Sequence, residues 1–279
     1  MRVTQHTPAI TGAPLFESDE AVVTTPARRR RRLPGARVWL GLGILLGVLL
    51  LWQLVVLAAW VPPYILPAPG AVAAKAVALA QTGALQRHVS TTLSEALLGF
   101  SIALVVGTAV GYVIGKSNLL TGAVAPYIAA LQAIPIVALA PLLVAWFGLG
   151  LAPKMIIATL IVFFPILVNT IVGLQSIDPE LTDAAQTLGA GRWSMLWYVE
   201  APLAARPYLG GVKMGLALAM TGAMVAEFVA ADSGLGFMMT LARSNYDAPM
   251  LYVAALTMAL VAFLGYAVVT LLEWAFIDW

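Results

Sequence analysis

Long apolar runs separated by short polar or proline-rich stretches dominate the chain from about residue 38 onward. A helix needs about 20 mainly apolar residues to cross a bilayer, and six of these runs are long enough. The first run is too long for the apolar part of a cleavable signal peptide, so we interpret it as an uncleaved span. The pattern predicts an all-α membrane bundle of six transmembrane helices, with spans at about 38–61, 92–114, 120–147, 153–174, 207–231 and 249–276.

The segments outside these runs divide the chain into a tail and a membrane domain. Residues 1–37 are polar and irregular and carry a run of arginines, so we expect a disordered cytoplasmic tail before a membrane domain at 38–279. Four prolines in residues 61–70 cannot continue a helix, and a short, mildly amphipathic helix follows at 71–87. A second short helix is expected in the loop at 231–248.

Composition supports the membrane assignment and excludes several kinds of site. Hydrophobic residues make up 61% of the 279 residues and charged residues 10%, whereas soluble domains carry about 25% charged residues. Cysteine is absent and the two histidines, His6 and His88, are far apart, so we expect no metal site, no disulfide and no cofactor. No cluster of catalytic residues is visible on the spans, and we expect no catalytic residue and no nucleic-acid partner. The sequence GYVIGKS at 111–117 has three residues between its glycines, not the four of a phosphate-binding loop.

Several spans carry residues that point to packing or to a path. Small residues recur every four positions in the second span, which allows close approach of another helix: Gly99, Ala103, Gly107, Gly111 and Gly115. The third span contains three prolines and is expected to kink, so Gln132 and Pro135 are candidates to line a translocation path, or parts of a bent packing helix.

Three further polar residues lie within the spans. Glu227 in the fifth span is a candidate for the path or a gate, because a buried acid in a bilayer is costly. The alternative is a position near the outer end, either solvated or paired with Arg243. Glu95 is expected at the membrane interface or at a helix start, and Asn169 is expected to join helices.

The distribution of basic residues predicts the orientation. With six spans and the amino terminus inside, eleven bases fall on the cytoplasmic side and four outside, as the positive-inside rule expects. The outside bases are Lys75, Arg87, Lys154 and Arg243. Both termini and the polar loop at 175–206 are therefore predicted to be cytoplasmic.

The polar loop contains a spaced motif. From Asp183 to Pro202 it reads DAAQTLGAGRWSMLWYVEAP, in which an acid and two alanines are followed after three residues by Gly189, and nine residues later by Val199, Ala201 and Pro202. Acids before the helix suit its dipole, and the two alanines offer a smooth face to a partner. Trp193, Leu196 and Trp197 give a second short helix an apolar face.

This motif resembles the EAA signature of permease subunits of bacterial ABC importers, with Asp for Glu, Val for Ile and Ala for Leu. The resemblance extends over about 38–275 and is closest to permeases for nitrate, taurine, aliphatic sulfonates and thiamine-precursor pyrimidines. It is carried by LPAPGAV (66–72), TTLSEALLGFSIALVVGTAVGYVIG (91–115), IPIVALAPLLVAWFGLG (134–150) and VAEFVAADSGLGFMM (225–239). A final stretch, NYDAPMLYVAALTMAL (245–260), leans toward the pyrimidine branch.

The resemblance implies a type I ABC importer permease in the bacterial cytoplasmic (inner) membrane, with a coupling helix between spans 4 and 5. The residues expected to couple the permease to its ATP-binding subunit are Asp183, Ala184, Ala185, Gly189 and Pro202. The implied partners are two ATP-binding subunits, a periplasmic or lipid-anchored substrate-binding protein, a second permease copy and membrane lipid. ATP hydrolysis would belong to the partner, so the chain itself is not expected to be an enzyme.

Two alternatives compete with this interpretation. An ion-gradient-driven secondary transporter would use internal repeats and broken helices at the midplane, and no convincing repeat joins the two halves. An amphipathic loop helix that only caps the bundle would also produce part of the pattern at 175–206. The substrate does not follow from the sequence, because no charged cage stands out in the spans.

Overall fold

The computed structural model describes residues 34–276, so most of the predicted tail lies outside the described residues. The described chain forms helices and no strand, which confirms the all-α prediction. The helices are α1 (Pro34–Leu57), α2 (Pro69–Gln81), α3 (Ala84–Gly115), α4 (Asn118–Gln132), α5 (Ile136–Phe147), α6 (Leu151–Gln175), α7 (Pro179–Thr187), α8 (Arg192–Met195), α9 (Ala201–Ala230), α10 (Leu235–Ser244) and α11 (Ala248–Phe276). A π-helical turn (Leu196–Glu200) joins α8 to α9.

Five helices within the described residues are long and apolar enough to cross a membrane, and the bent pair α4–α5 makes a sixth if it counts as one span. The two members of this pair meet at 80°. Pro135 lies at the break in an extended conformation, whereas Pro126 and Pro141 lie inside α4 and α5. The third predicted span is therefore broken at one of its three prolines, which has no amide hydrogen to continue the helix.

Backbone conformation explains where the early helices begin and end. Pro69 starts α2, and its fixed φ suits the first turn of a helix. The chain then reverses at Gly83, where φ is +72°, and α3 begins at the next residue. The short helix predicted at 71–87 consequently ends at Gln81, and its last polar residues belong to α3.

The stripe of small residues on α3 packs directly against α6, as predicted. A Cβ atom at Gly99 would lie 2.5 Å from the Cβ of Ala158, and one at Gly111 would lie 2.8 Å from the carbonyl oxygen of Leu167. These separations are too short for any side chain, so glycine sets the distance between the two helices. Close backbone approach of this kind supplies van der Waals contact in a bilayer, where the hydrophobic effect does not drive helices together.

The helix that follows the polar loop is longer than the predicted fifth span. Arg192–Val229 runs as one apolar stretch through the π-helical turn. Glycines on α9 again allow contact with α6, since a Cβ atom at Gly222 would lie 2.7 Å from the Cα of Ala158. Helices α3, α6 and α9 share a core of small and aliphatic residues: Ala96, Ala103, Val162, Ile166, Ala219, Met220 and Ala223.

Two smaller cores complete the compact unit that extends from Leu49 onward. One joins α2, α10 and α11 through Val72, Leu235, Met238, Val253 and Ala254. The other joins α5, α6 and α9 through Ala140, Leu143, Ile157, Val225 and Ala226. Within this unit, the indole of Trp52 at the end of α1 donates a 3.0 Å hydrogen bond to the carbonyl of Pro67.

Candidate coupling loop and translocation path

Helix α7 lies in the polar loop, and residues typical of helix starts and helix ends lie at its two ends. The side chain of Asp178 accepts a 3.0 Å hydrogen bond from the amide of Glu180, and Pro179 occupies the first helical position. Glu180 lies in the first turn, where a negative charge is favoured by the helix dipole. The helix ends before Gly189, which adopts φ +87° as a left-handed turn residue.

The residues predicted for coupling lie on the surface of this loop. Asp183, Ala184, Gly189 and Pro202 are exposed, and Ala185 is half-buried. Helix α7 buries none of its residues in the described chain. Two large apolar side chains beside them are also uncovered, namely Leu181 and Leu188, the second of which is 89% exposed. The helix is thus available to a partner. Pro202 lies just after the π-helical turn within the continuous helical segment Arg192–Val229, where it has no amide hydrogen to donate to the preceding turn.

A buried acid connects the end of the polar loop to the end of α3. Glu200 lies in the π-helical turn and is 2% exposed. The hydroxyl of Tyr112 donates a 2.8 Å hydrogen bond to its Oε2, and the Nζ of Lys116 forms an ion pair with its Oε1. Sequence analysis missed this residue. The available signal was an acid directly before the Ala201–Pro202 pair of the motif, at the entrance to an apolar run.

The predicted path residue Gln132 is exposed and lines an open cavity at the surface of the described chain. This cavity has a volume of about 420 Å³ and lies between the end of α4 and the central part of α6. Its wall consists of Gln132, Ile136, Ile161, Phe164, Pro165, Val168, Asn169 and Met214. Asn169 also donates a 2.8 Å hydrogen bond to the carbonyl of Pro165 in its own helix. Pro135 is exposed at the helix break beside this cavity.

Glu227 lies apart from that cavity, in a buried polar cluster that holds α10. Its side chain is 2% exposed and accepts hydrogen bonds from the hydroxyl of Thr92 (2.6 Å) and the amide of Gly236 (2.5 Å). The Nδ1 of His88 accepts from the amide of Gly234 at 3.0 Å. The partners of Glu227 are thus Thr92 and Gly236, and Arg243 lies exposed on α10. The solvated alternative for Glu227 is wrong.

Glu95 is a buried acid well inside α3, so its expected position at a helix start is wrong. Helix α3 begins at Ala84, which places Glu95 three turns inside it, and the side chain is buried. Its Oε1 accepts a 2.7 Å hydrogen bond from the Nζ of Lys154, which is itself buried. Its other carboxylate oxygen, Oε2, is buried and has no hydrogen-bond partner among the described residues.

A family model described as "Binding-protein-dependent transport system inner membrane component" matches residues 99–276. This range includes α7, the π-helical turn and Glu227. The chain belongs to this family. It is an ABC importer permease subunit that passes several times through the membrane, as the EAA-like motif predicted, and members of the family are transport permeases.

The permease is similar to two named transport permeases over most of its length. It is 45% identical over 244 residues to the riboflavin transport system permease protein RibX of Chloroflexus aurantiacus, covering 86% of this chain and 91% of that protein. It is 30% identical over 217 residues to the formylaminopyrimidine transport permease protein ThiX of Halalkalibacterium halodurans, covering 78% and 86%.

A solved structure has the same fold. The crystal structure of an amino acid ABC transporter with histidines matches with a TM-score of 0.50 at 19% identity, covering 67% of the permease and 91% of that chain. The helical arrangement is therefore that of an ABC transporter permease.

Proposed function

We propose that the permease forms the translocation path of an ATP-driven importer and that α7 is its coupling helix. The observation that carries this proposal is the state of α7: it is capped at Asp178, terminated at Gly189 and buries none of its residues. A short, well-defined helix with uncovered Leu181 and Leu188 fits a groove on another protein. The partner is an ATP-binding subunit, one for each permease copy.

The contacts of Glu200 suggest how motion would pass from α7 to the spans. The carboxylate joins the returning arm of the polar loop to Tyr112 and Lys116 at the end of α3. Closure of two ATP-binding subunits would push α7, and α3 would follow because this junction is buried. The path would then alternate between its outward and inward openings.

A single copy forms only part of a path, so we propose a homodimer. The cavity at Gln132 lies beside exposed apolar residues of α4 and α5, including Leu131, Ile134 and Val137. A second copy could cover this face and close the path between the two chains. The dimer would lie in the bacterial cytoplasmic membrane with both termini inside, and a periplasmic or lipid-anchored binding protein would deliver the solute from outside.

The solute we propose is a planar nitrogen heterocycle, with riboflavin as the first candidate. RibX is named for riboflavin and ThiX for formylaminopyrimidine, and both molecules are of this class. The cavity agrees with a neutral, aromatic solute, because it offers the ring of Phe164 and the amides of Gln132 and Asn169. Its eight lining residues include no charged side chain, which makes it less suited to nitrate, taurine or sulfonates.

The coupling proposal is tested with Gly189→Val in the transporter reconstituted with its ATP-binding subunit. A β-branched residue strains the left-handed backbone there and disturbs the end of α7. The matched control is Gly83→Val, which has φ +72° and equally open surroundings but lies in the α2–α3 connection. We expect Gly189→Val to lower substrate-stimulated ATP hydrolysis and capture of the ATP-binding subunit, with little effect from Gly83→Val. Equal effects of the two variants would contradict a coupling role for α7.

An energy-source experiment separates the importer from the ion-gradient transporter. Proteoliposomes that contain the complete complex should take up the solute when ATP is supplied on the side of α7, and an ionophore should not stop them. Uptake that follows an imposed ion gradient without ATP would overturn the proposal.

The heterocycle proposal is tested by titrating the cognate binding protein with riboflavin, a thiamine-precursor pyrimidine, taurine and nitrate. Tighter binding of taurine or nitrate would refute the proposed substrate class.

A further inference from the structure

Two adjoining cavities lie at the end of α3 that is predicted to face the cytoplasm. The larger has a volume of about 1120 Å³ and lies between Lys116 and the turn that joins α7 to α8. The smaller has a volume of about 420 Å³ and continues along α3 toward the middle of the membrane. Both cavities include Tyr112 and Leu196 in their walls, so they adjoin each other, and we call the two together the recess.

The two parts of this recess differ in polarity. The larger part presents the polar side chains of Lys116, Gln186 and Arg192. The smaller part is a mainly apolar groove lined by Leu104, Val105, Thr108, Ala109, Tyr112, Leu196 and Tyr208. From Leu104 to Tyr112, the part of α3 that lines this groove, the helix rises about 12 Å, because each residue adds about 1.5 Å. This length covers most of one hydrocarbon leaflet, which is about 15 Å deep, since the hydrocarbon core is about 30 Å thick.

The charge of the larger part is positive. Lys116 is paired with Glu200. In the part of the chain that the structure describes, ion pairs involve four lysines, and Arg192 belongs to none of them. The ten residues that line the larger cavity include no acid. An anion that enters the recess would meet the guanidinium of Arg192, whereas the charge of Lys116 is already balanced by the buried Glu200.

Aromatic residues place this recess at the membrane–water boundary. Trp193 lines the larger cavity and is exposed, as are Trp197 and Tyr198 in the π-helical turn. Tryptophan and tyrosine are enriched at the headgroup level of membrane proteins. A polar chamber at that level, next to an apolar groove that covers most of a leaflet, has the two parts that a phospholipid requires.

We propose that this recess binds an anionic phospholipid, with the headgroup phosphate beside Arg192 and one acyl chain in the groove along α3. Basic recesses at the cytoplasmic side of transmembrane helices suit anionic headgroups. The bound lipid would contact both α3 and the segment between α7 and α9. It would therefore support the same junction that Glu200 holds. This ligand is independent of the transported solute and of the ATP-binding partner.

The test uses the full-length permease in nanodiscs of phosphatidylcholine with a minor fraction of phosphatidylglycerol. After transfer to detergent, native mass spectrometry counts the lipids retained per chain. We expect preferential retention of phosphatidylglycerol, and about fivefold weaker retention in Arg192→Gln, which corresponds to about 1 kcal/mol for one basic residue. Arg206→Gln removes the same charge from the same side but lies outside both cavities, and it should retain the lipid.

A second pair of variants tests the groove. Ala109→Phe fills the apolar part, whereas Val110→Phe adds the same ring to a neighbouring exposed position of α3 that lines neither cavity. Retention of phosphatidylglycerol should fall only in Ala109→Phe. If Ala109→Phe does not fold, Ala109→Leu serves in its place, because it narrows the same groove with a smaller apolar side chain.

Three results would overturn the proposal. Equal retention in Arg192→Gln and Arg206→Gln would show general attraction of acidic lipid to the surface. Displacement of phosphatidylglycerol by inorganic phosphate, with no effect of Ala109→Phe, would indicate a site for free phosphate. Loss of the lipid when the ATP-binding subunit binds would show that the recess belongs to the protein interface instead.

Discussion

The hydroxyl of Thr92 on α3 donates a 2.6 Å hydrogen bond to Glu227 on α9 and accepts a 2.7 Å hydrogen bond from the amide of Leu235. Glu227 accepts the next amide, that of Gly236. The first amides of a helix have no partner within it, and here side chains from two other helices supply the acceptors. Helix α10 is therefore attached to α3 and α9 by directional bonds in addition to apolar contact.

Thr92→Val should destabilise the permease more than an equivalent change elsewhere. The substitution keeps the shape but leaves both the Leu235 amide and one oxygen of Glu227 without a buried partner, at a cost of about 1–3 kcal/mol. The control is Thr270→Val, because that hydroxyl is exposed and bonds the Tyr266 carbonyl of its own helix. Thermal unfolding in detergent measures both. If Thr270→Val lost as much thermal stability as Thr92→Val, this result would contradict the bridging role of Thr92.

Gly234→Ala should destabilise the permease more than the same substitution at another glycine with positive φ. A Cβ atom at Gly234 would lie 2.1 Å from Oε1 of Glu227, and the backbone has φ +119°. Gly83→Ala is the matched control, since φ is +72° there and nothing lies within 4 Å of the added atom. We expect about 1–2 kcal/mol of strain at Gly83. Gly234→Ala should lose more stability than Gly83→Ala and should speed hydrogen exchange at the start of α10. Equal losses of stability in the two variants would disprove the contact between Gly234 and Glu227.

Periodicity and spacing were sufficient for the helices and for the close packing of α3. Long apolar runs and a small residue every fourth position act over one turn or one span, and such local patterns can be seen in a sequence. The EAA-like spacing similarly located α7, whose two ends are set by neighbouring residues such as Asp178 and Gly189. Local chemistry was thus enough for these elements.

The burial of Glu200 and Glu95 could not be predicted because their partners are distant in the chain. Glu200 bonds Tyr112 across 88 positions, and Glu95 bonds Lys154 across 59. The sequence around an acid near a span end is the same whether the side chain faces water or a buried lysine. The helix break had a similar ambiguity, since Pro126, Pro135 and Pro141 are equivalent in sequence and the break occurs at Pro135. Tertiary contacts decide such cases.

Tyr112→Phe should weaken the junction between α3 and the polar loop. The phenolic hydroxyl donates to the buried carboxylate of Glu200, and loss of a hydrogen bond to a charged group costs about 1.5–3 kcal/mol. Tyr198→Phe is the control, because Tyr198 is 82% exposed in the same π-helical turn. Unfolding in detergent should show a loss only for Tyr112→Phe. In the reconstituted transporter, Tyr112→Phe should also reduce transport per ATP hydrolysed, and unchanged values in both assays would contradict the junction.

Alanine should have opposite effects at two helical glycines. At Gly111 an added Cβ would lie 2.8 Å from the carbonyl oxygen of Leu167, so α3 and α6 must separate, at a cost of about 1–3 kcal/mol. At Gly122 nothing lies within 4 Å, and Ala there should stabilise α4 by up to about 1 kcal/mol. Thermal unfolding of the two variants shows whether each one gains or loses stability. If Gly111→Ala loses no stability, α3 and α6 are not in close contact.

Asp247 should make the α2–α11 contact sensitive to acid. Partial burial opposes its ionisation, but hydrogen bonds from Lys75 and from the amide of Met250 outweigh it and hold the pKa of Asp247 below its ordinary value. The unfolded pKa is about 3.9, so this stabilisation is present above about pH 4 and is lost as the pH falls through the lower, folded pKa.

The expected size of this effect is below about 1 kcal/mol, because both side chains are partly exposed to solvent. Asp247→Asn removes the charge but keeps an oxygen that can accept the Met250 amide at the start of α11, whereas Asp247→Ala removes both. As the pH is lowered from about 5 to about 3, the midpoint temperature of thermal unfolding should therefore fall more steeply for the wild type than for Asp247→Asn. Asp247→Ala should be less stable than Asp247→Asn by a similar amount at both pH values. Parallel curves for the wild type and Asp247→Asn would show that the Lys75 ion pair contributes nothing to stability.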